Sequence, residues 1–183
     1  MTQSLLDAAV EILQTGGPEE LTVRAVAHRA GVAPMGVYSR FDGKAGLLEA
    51  LFVQGFERLH ATIAVISGPD ATARLVAGCR AYRDFALTNQ HHYRLMFQSS
   101  PKLEVGEAAM ATARTTFGEL EARVQDAMDA GAVRPGDRTE TAQQIFNALH
   151  GAVSLELNGI GFTADQARTF EGTVTAVLRG LSA

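Results

Sequence analysis

The most constraining feature of this 183-residue chain is a segment, residues 22–44, in which apolar and small side chains recur at helical spacing on both sides of one glycine. Val23, Val26 and Ala27 fall on one face of a first short helix, and Ala27 is small enough for a second helix to approach closely. Gly31 stands where that helix must stop and the chain must reverse, a position that commonly requires positive φ. The pattern predicts two short helices joined by a three-residue turn.

The second of these helices presents two unlike faces. Val32 and Val37 supply its apolar side, and the remaining residues point elsewhere. Pro34 suits a first helical turn, where its missing N–H leaves no bond unmade. Gly36 is costly in mid-helix, about 1 kcal/mol relative to alanine, and a close approach of another backbone would account for it. The two helices have the arrangement of a helix-turn-helix, whose second helix enters the DNA major groove.

The entry to this unit is also set by local chemistry. Thr22 can cap the first short helix through its hydroxyl, and residues 16–18, Gly-Gly-Pro, break a preceding helix over about residues 3–14. That preceding helix carries an apolar stripe that can cover the two short helices. A three-helix domain is therefore predicted at the start of the chain.

A longer pattern surrounds the two helices. It consists of Leu21-Thr22-Val23-Arg24, Ala27, Ala30-Gly31-Val32, and the run Val37-Tyr38-Ser39-Arg40-Phe41 followed by Lys44 and Leu47-Leu48. This pattern resembles the DNA-binding domain of the TetR/AcrR family of bacterial transcriptional regulators. The resemblance implies that Tyr38 and Lys44 contact phosphates and that the third helix faces the groove. The predicted DNA-binding residues are Thr22, Arg24, Pro34, Met35, Gly36, Tyr38, Ser39, Arg40 and Lys44.

The distribution of charge agrees with that interpretation. Residues 22–44 hold four basic side chains and one acid, whereas the rest of the chain holds 12 basic and 19 acidic residues of the totals of 16 and 20. A net charge of -4 argues against general affinity for polyanions. A local positive patch on an acidic body would instead orient one surface toward phosphates.

The rest of the chain has helical periodicity, with breaks at Gly68-Pro69, Ser99-Ser100-Pro101, residues 131–136 and residues 159–161. We expect helices near residues 43–66, 71–87, 91–97 and 103–130, then an eighth helix opened by an Asp137–Glu140 capping box and a ninth near the end. The predicted fold is all-α with about nine helices. It comprises a helix-turn-helix domain over residues 1–46 and a helical ligand-binding and dimerisation domain over residues 47–183.

The last two predicted helices carry continuous apolar stripes. Such stripes suit a symmetric four-helix dimer interface, although they can also simply close the core of one chain. The resemblance favours the interface, because TetR-like proteins dimerise through their last two helices. The predicted interface residues are Ile145, Leu149, Val153, Phe170, Val174, Val177, Leu178 and Leu181.

The body of the chain also resembles the C-terminal domain of TetR-like regulators with a Trp-His-Gly signature, through the Ala81–Leu87 and Tyr93–Phe97 runs and His150-Gly151. The tryptophan is missing, and Asn147 or Ala148 stands near its place. Methionine and phenylalanine make adaptable apolar walls, although each is more often plain core. The predicted ligand-pocket residues are Phe85, Met96, Phe117, Phe146 and His150.

Other chemistry is weakly indicated. His91 and His92 are adjacent and point to different helix faces without a ligand at metal spacing, so a solvated or capping role is favoured over a metal site. Cys79 is the single cysteine, and a buried structural thiol is favoured over a redox sensor. No nucleophile motif or phosphate loop supports an enzyme, and no cofactor or metal is predicted.

The sequence thus predicts a ligand-responsive DNA-binding transcriptional regulator. We expect a homodimeric repressor that binds a palindromic, double-stranded operator and is released by a small apolar or amphipathic effector. The alternatives are a helical small-molecule-binding or adaptor protein without DNA binding, and an enzyme. Because no apolar run approaches the roughly 20 residues of a membrane span and no signal peptide is apparent, a cytoplasmic protein without membrane contact is expected.

Overall fold

The computed structural model describes residues 1–97 and 105–183, and over those residues it contains nine helices and no strand. The helices are α1 (Thr2–Glu20), α2 (Val23–Arg29), α3 (Met35–Phe41), α4 (Lys44–Ala64), α5 (Ala71–Thr88), α6 (Gln90–Phe97), α7 (Glu107–Asp129), α8 (Arg138–Leu157) and α9 (Gln166–Leu181). This confirms the all-α prediction. The predicted break at Ser99-Ser100-Pro101 and the predicted start of the seventh helix at residue 103 lie outside the described residues. No helix within the described ranges is long and apolar enough to cross a membrane.

The chain forms two compact units. The first contains residues 1–58 and 89–114, and the second contains residues 59–88 and 115–183. Helices α4 and α7 therefore each begin in the first unit and end in the second. The predicted domain boundary after residue 46 falls just inside α4 and stays a prediction, because a compact unit and a functional domain are different properties.

The first unit is built on a core shared by α1, α2, α3 and the start of α4. Helix α1 contributes its predicted apolar stripe, and α2 and α3 each contribute one face. Ala27 is buried, as expected for a residue at the crossing of two helices. The fully or nearly buried members of this core are Leu5, Leu6, Ala8, Ala9, Ile12, Leu21, Val26, Ala27, Val37, Phe41, Leu47 and Leu51.

Three local features of this unit follow from single residues. The break predicted at residues 16–18 occurs at Gly17, which has φ 74° and interrupts α1. The Thr22 side chain accepts a hydrogen bond from the Ala25 N–H at 3.1 Å and caps α2, as predicted. Gly31 has φ 68°, also as predicted.

The turn between α2 and α3 is longer than the predicted three residues and covers residues 30–34. The N–H of Val32 bonds to the Ala27 carbonyl at 2.9 Å, and the N–H of Gly31 bonds to the His28 carbonyl at 3.2 Å. These two bonds, with Gly31 in the left-handed conformation, form a Schellman ending for α2. Because this ending uses the residues directly after α2, the next helix starts later than a minimal turn would allow.

The second unit contains α5, α8, α9 and the larger part of α7. Asp137 caps α8 as predicted, accepting bonds from the N–H groups of Thr139 at 2.8 Å and Glu140 at 3.1 Å. Helices α8 and α9 pack against each other, and α5 packs against α8. Buried residues of this unit include Leu75, Cys79, Tyr82, Phe85, Val124, Ile145, Leu149, Val153, Phe170, Val174 and Leu181.

A candidate DNA-binding surface

Helices α2 and α3 divide their side chains sharply between core and solvent. Val26 and Val37 are fully buried, whereas the residues predicted to meet DNA lie on the other side. Eight of those nine predicted residues are exposed, and Gly36 is half-buried. The exposed eight are Thr22, Arg24, Pro34, Met35, Tyr38, Ser39, Arg40 and Lys44. The fold therefore leaves this set of residues available to a partner.

Two large apolar residues on α3 are uncovered. Met35 is 72% exposed and Tyr38 is 53% exposed, although α3 is only 7 residues long. Fully burying a side chain of this size is worth about 1.5–3 kcal/mol, so leaving both in water forgoes stability. Exposed apolar groups beside basic residues are typical of a surface that meets another molecule.

The corner between α3 and α4 places Tyr38 at the edge of this surface. Asp42 ends α3 with φ 53°, and Gly43 follows with φ 97°, so two consecutive residues are left-handed. A Cβ atom on Gly43 would lie 3.5 Å from Cε1 of Tyr38, which shows that the tyrosine ring packs along the glycine backbone. Lys44 begins α4 directly after this turn. The left-handed Asp42 was not anticipated from the sequence, since aspartate adopts this conformation only occasionally.

Packing among the described residues gives no reason for glycine at position 36. A Cβ atom there would meet only the Val32 side chain, at 3.7 and 3.9 Å, which are ordinary contact distances. The Gly36 carbonyl accepts hydrogen bonds from the Arg40 Nη1 at 3.1 Å and from the Ser39 hydroxyl at 3.3 Å. The arginine thus lies back along its own helix in this structure. A glycine that the fold itself does not require is consistent with close approach by another surface.

Arg29, a basic side chain of this segment, forms an ion pair with an acid of α1. Arg29 contacts Glu11 at 3.0 Å, with side chains 47% and 56% exposed. Arg29 was not among the predicted DNA contacts. The predicted basic contacts, Arg24, Arg40 and Lys44, are all exposed and supply the positive charge of the surface.

The structure brings together three of the five predicted pocket residues, in the second unit. The Phe146 ring lies 6.2 Å from the Phe117 ring, edge-on, and 5.5 Å from the His150 ring, stacked. Tyr82 joins this cluster, because its ring lies 5.9 Å from that of Phe146 and its hydroxyl lies 3.2 Å from His150 Nδ1. Ser154 completes it, with its hydroxyl 3.4 Å from His150 Nε2.

Neither Tyr82 nor Ser154 was predicted from the sequence. Ser154 stands four residues after His150 on one helix, so helical spacing could have found it. Tyr82 stands 68 residues from His150, and no local signal links the two. Burial lowers the pKa of His150, so the ring is neutral around pH 7 and can both donate and accept a hydrogen bond.

The other two predicted pocket residues are both buried. Phe85 is buried in the second unit, on α5. Met96 belongs to the first unit, where it packs against α4: a Cβ atom on Gly55 would lie 2.6 Å from the Met96 sulfur. That Met96 shares a pocket with Phe117 and Phe146 stays a prediction. An unbranched methionine fills the gap that Gly55 leaves beside it.

Of the adjacent residues His91 and His92, the second has a buried, hydrogen-bonded ring. His92 is buried, and its Nε2 lies 3.0 Å from Oε1 of Gln54. Burial, and then the nearby charge of Arg58, lowers the pKa of His92 to about 4. Among the described residues no group of three or more histidine, cysteine or acidic side chains could hold a metal ion. His92 thus has a packing role that the sequence analysis did not foresee.

Cys79 has the environment of a structural thiol. It is buried on α5, and burial raises its pKa to about 12. A thiol with such a pKa carries almost no thiolate near neutral pH, and thiolate is the reactive form.

The stripe predicted as a dimer interface lies mainly inside one chain. Six of its eight residues are buried, namely Ile145, Leu149, Val153, Phe170, Val174 and Leu181. Only Val177 and Leu178 keep part of their surface exposed. The six buried residues therefore pack the core of the second unit, and a partner chain would have to use other faces of α8 and α9. Periodicity alone could not distinguish these two uses, since both require an apolar stripe.

Two parts of this chain match known protein families. Residues 5–51 match the family of bacterial regulatory proteins of the tetR family, and residues 75–177 match the tetracyclin repressor-like C-terminal domain. No functionally curated protein gives a significant match.

Several solved structures share the architecture. A protein of unknown function from Rhodococcus sp. RHA1 is 27% identical with a TM-score of 0.88, covering 100% of this chain and 95% of its own. A tetR-family regulatory protein from Rhodococcus RHA1 is 21% identical with a TM-score of 0.74, covering 100% and 97%. The fatty acid degradation regulator FadR from Bacillus halodurans is 19% identical with a TM-score of 0.80, covering 99% and 100%. The helix-turn-helix, its exposed basic face and the two matched domains together show that this chain belongs to the TetR family of bacterial DNA-binding transcriptional regulators.

Proposed function

We propose that this protein is a homodimeric repressor that binds a palindromic operator through α3 and leaves it when a small apolar or amphipathic effector binds the second unit. The observation that carries the DNA-binding part is the exposed face of α3. Met35 and Tyr38 are uncovered there beside Arg40, and Gly36 permits close approach. In a dimer, two such helices would enter major grooves roughly 34 Å apart along the DNA.

Within this surface we assign two kinds of contact. Tyr38 and Lys44 stand at the corner between α3 and α4 and would bind phosphates, which fix position and carry no sequence information. Met35 and Ser39 stand on the exposed side of α3 and would contact base edges. Thr22 and Arg24 would add phosphate contacts at the start of α2.

Replacing Lys44 by alanine tests this assignment. Operator and non-operator binding should both weaken, and the slope of log K against log salt should become shallower by about one unit, because one phosphate contact releases about 0.9 counterions. Arg138→Ala, which removes an exposed cation from the second unit, is the matched control and should leave the slope unchanged. An unchanged slope for Lys44→Ala, measured by fluorescence anisotropy with the DNA upstream of the gene, would refute the assignment.

The aromatic cluster of the second unit supports the effector site. Phe117 and Phe146 offer apolar ring faces, and Tyr82 and His150 offer hydrogen-bonding groups beside them. Binding sites for small molecules combine mainly apolar walls with a few such polar groups. Identity of 19% to the Bacillus halodurans fatty acid degradation regulator supports only the fold, so it does not select an effector.

An amphipathic aromatic probe, 1-anilinonaphthalene-8-sulfonate, tests this site. We expect it to bind the wild-type protein, to weaken operator binding, and to bind Phe146→Ala less tightly. Coupling of roughly 1–3 kcal/mol would change operator affinity about 5- to 150-fold. Phe52→Leu, in the first unit, is the control and should keep probe binding. Probe binding and operator release that are both unaffected by Phe146→Ala would place the effector site elsewhere.

A further inference from the structure

Three large apolar side chains at the end of α8 and in the loop after it are uncovered. Leu155 is 52% exposed, Ile160 is 51% exposed and Phe162 is 99% exposed. We call these three residues the loop patch. A fully exposed phenylalanine gives up about 1.5–3 kcal/mol of burial free energy, and three such residues within eight positions are more than scattered surface apolar groups.

The first part of the loop patch is held by a specific helix ending. The Gly159 N–H bonds to the Glu156 carbonyl at 3.1 Å, and the Ile160 N–H bonds to the Leu155 carbonyl at 3.0 Å. Gly159 has φ 66°, so the ending is a Schellman motif. In this motif the residues that correspond to Leu155 and Ile160 commonly touch, so we expect these two side chains to form one apolar surface.

The rest of the loop is also held by hydrogen bonds. The Gln166 side-chain amide donates to the Thr163 carbonyl at 2.7 Å, and the Thr163 and Thr169 hydroxyls lie 2.7 Å apart. Asp165 caps α9 by accepting a bond from the Arg168 N–H at 2.9 Å. These bonds fix the chain on both sides of Phe162, whose side chain is exposed between them.

The helices on either side of the loop have open glycine positions. A Cβ atom added to Gly151 on α8 or to Gly172 on α9 would meet no atom of the described residues within 4 Å, the backbone of its own helix aside. Glycine in a helix interior costs about 1 kcal/mol relative to alanine, and packing among the described residues gives no reason for these two. A helix position without a side chain allows another helix to come close. Gly151 stands four residues before Leu155, so this open position and the first residue of the loop patch share one face of α8.

The absence of charged side chains around the loop patch also favours a second copy of this chain as its binding partner. Residues 157–164 contain no charged side chain. The nearest acid before them, Glu156, is bonded to Arg83 at 2.5 and 2.8 Å. In a twofold-symmetric interface the same surface faces itself, so like charges would oppose each other. An uncharged apolar surface avoids that repulsion.

We propose that the loop patch is an anchor of the homodimer, packing against the partner chain beside the open glycine faces of α8 and α9. This inference rests on the homodimer of the proposed function and names its contact residues. The apolar contacts between the two chains were predicted on the stripe of α8 and α9 that is buried in one chain. We now assign them to the loop between those helices. Phe162 is the central contact, since it gains most surface burial on association.

The experiment compares Phe162→Asp with Val65→Asp in the full chain by sedimentation velocity over a range of concentrations. Val65 is 81% exposed and lies outside the loop patch, so it controls for adding one charge to the surface of the second unit. We expect the dimer dissociation constant to rise at least 10-fold for Phe162→Asp, because the change acts on both chains, and to stay unchanged for Val65→Asp. Circular dichroism should show both variants folded.

A second measurement covers the case in which the aspartate variant fails to fold. Phe162→Cys should react with a maleimide more slowly as protein concentration rises into the dimer range, and the buried Cys79 should not compete. A wild-type dimer whose dissociation constant is unaffected by Phe162→Asp, or a labelling rate independent of concentration, would overturn the loop-patch inference and leave the homodimer standing. A wild-type protein that is monomeric at every concentration would overturn both.

Discussion

Two ion pairs of the same chemistry join α5 to the last two helices and differ in burial. Arg83 bonds to Glu156 through two contacts of 2.8 and 2.5 Å, with both side chains 15% exposed. Arg80 bonds to Glu171 through two contacts of 2.7 Å, with side chains 56% and 43% exposed. The pairs share a bidentate geometry, so a comparison isolates the effect of the surroundings.

Removing one acid from each pair should have very different consequences. Glu156→Gln leaves the largely shielded Arg83 guanidinium without its bidentate counter-charge, and hydrogen bonds to a charged group are worth about 1.5–3 kcal/mol. Glu171→Gln leaves Arg80 in water, and exposed pairs contribute about 0–1 kcal/mol. For a chain of this length 1 kcal/mol shifts the melting temperature by about 2–4 °C, so Glu156→Gln should lower it by about 3–12 °C and Glu171→Gln by at most about 4 °C.

Urea unfolding gives the two losses of free energy, and thermal unfolding gives the two melting temperatures, both followed by circular dichroism at one fixed protein concentration. Arg83 also lies 5.7 Å from the centroid of the Phe170 ring, a cation–π contact that survives Glu156→Gln and partly shelters the charge. The expected loss for Glu156→Gln therefore lies toward the lower end of its range. Equal destabilisation by the two substitutions would refute the reasoning, because it would mean that burial does not determine how much each ion pair contributes to the free energy of unfolding.

Three further outcomes are expected. Thr22→Ala should lower stability by about 1 kcal/mol, because α2 loses its cap, and Thr22→Ser should not; thermal unfolding of the two variants decides this. The pKa of His92 is about 4 in the folded protein and near 6.5 when unfolded, so its contribution is complete above pH 6.5 and is lost as pH falls toward 4. Stability measured from pH 7 to 4 should therefore fall more steeply for the wild type than for His92→Gln, and parallel curves would contradict this. Cys79 should resist iodoacetamide at pH 8 in the native protein and react in urea, whereas rapid native labelling would contradict its burial and its pKa of about 12.

The sequence by itself determined the features that depend on neighbouring residues. The cap at Thr22, the reversal at Gly31 and the two-faced character of α3 all arise from contacts within about one helical turn, so their signals are local. The same holds for the Asp137 cap of α8. The exposure of the residues proposed to bind DNA could also be predicted, since they lie on the solvent side of one short helix and at its two ends.

The tertiary structure decided every feature that joins distant parts of the chain. Tyr82 and His150 are 68 residues apart, and Arg83 and Glu156 are 73 apart, so no spacing rule connects them. Met96 packs against Gly55 of the same unit, a contact that no local spacing predicts either.

The last two helices show why the sequence could not distinguish a core-facing stripe from an interface with a partner chain. An apolar stripe has the same period whether it faces its own core or a partner chain, because periodicity records only that one side avoids water. Packing of α8 against α9 buries Ile145 and Phe170 within one chain and leaves Phe162 in solvent. Which apolar residues are left for another molecule therefore depends on how the helices of this unit pack, and that information exists only in the folded protein.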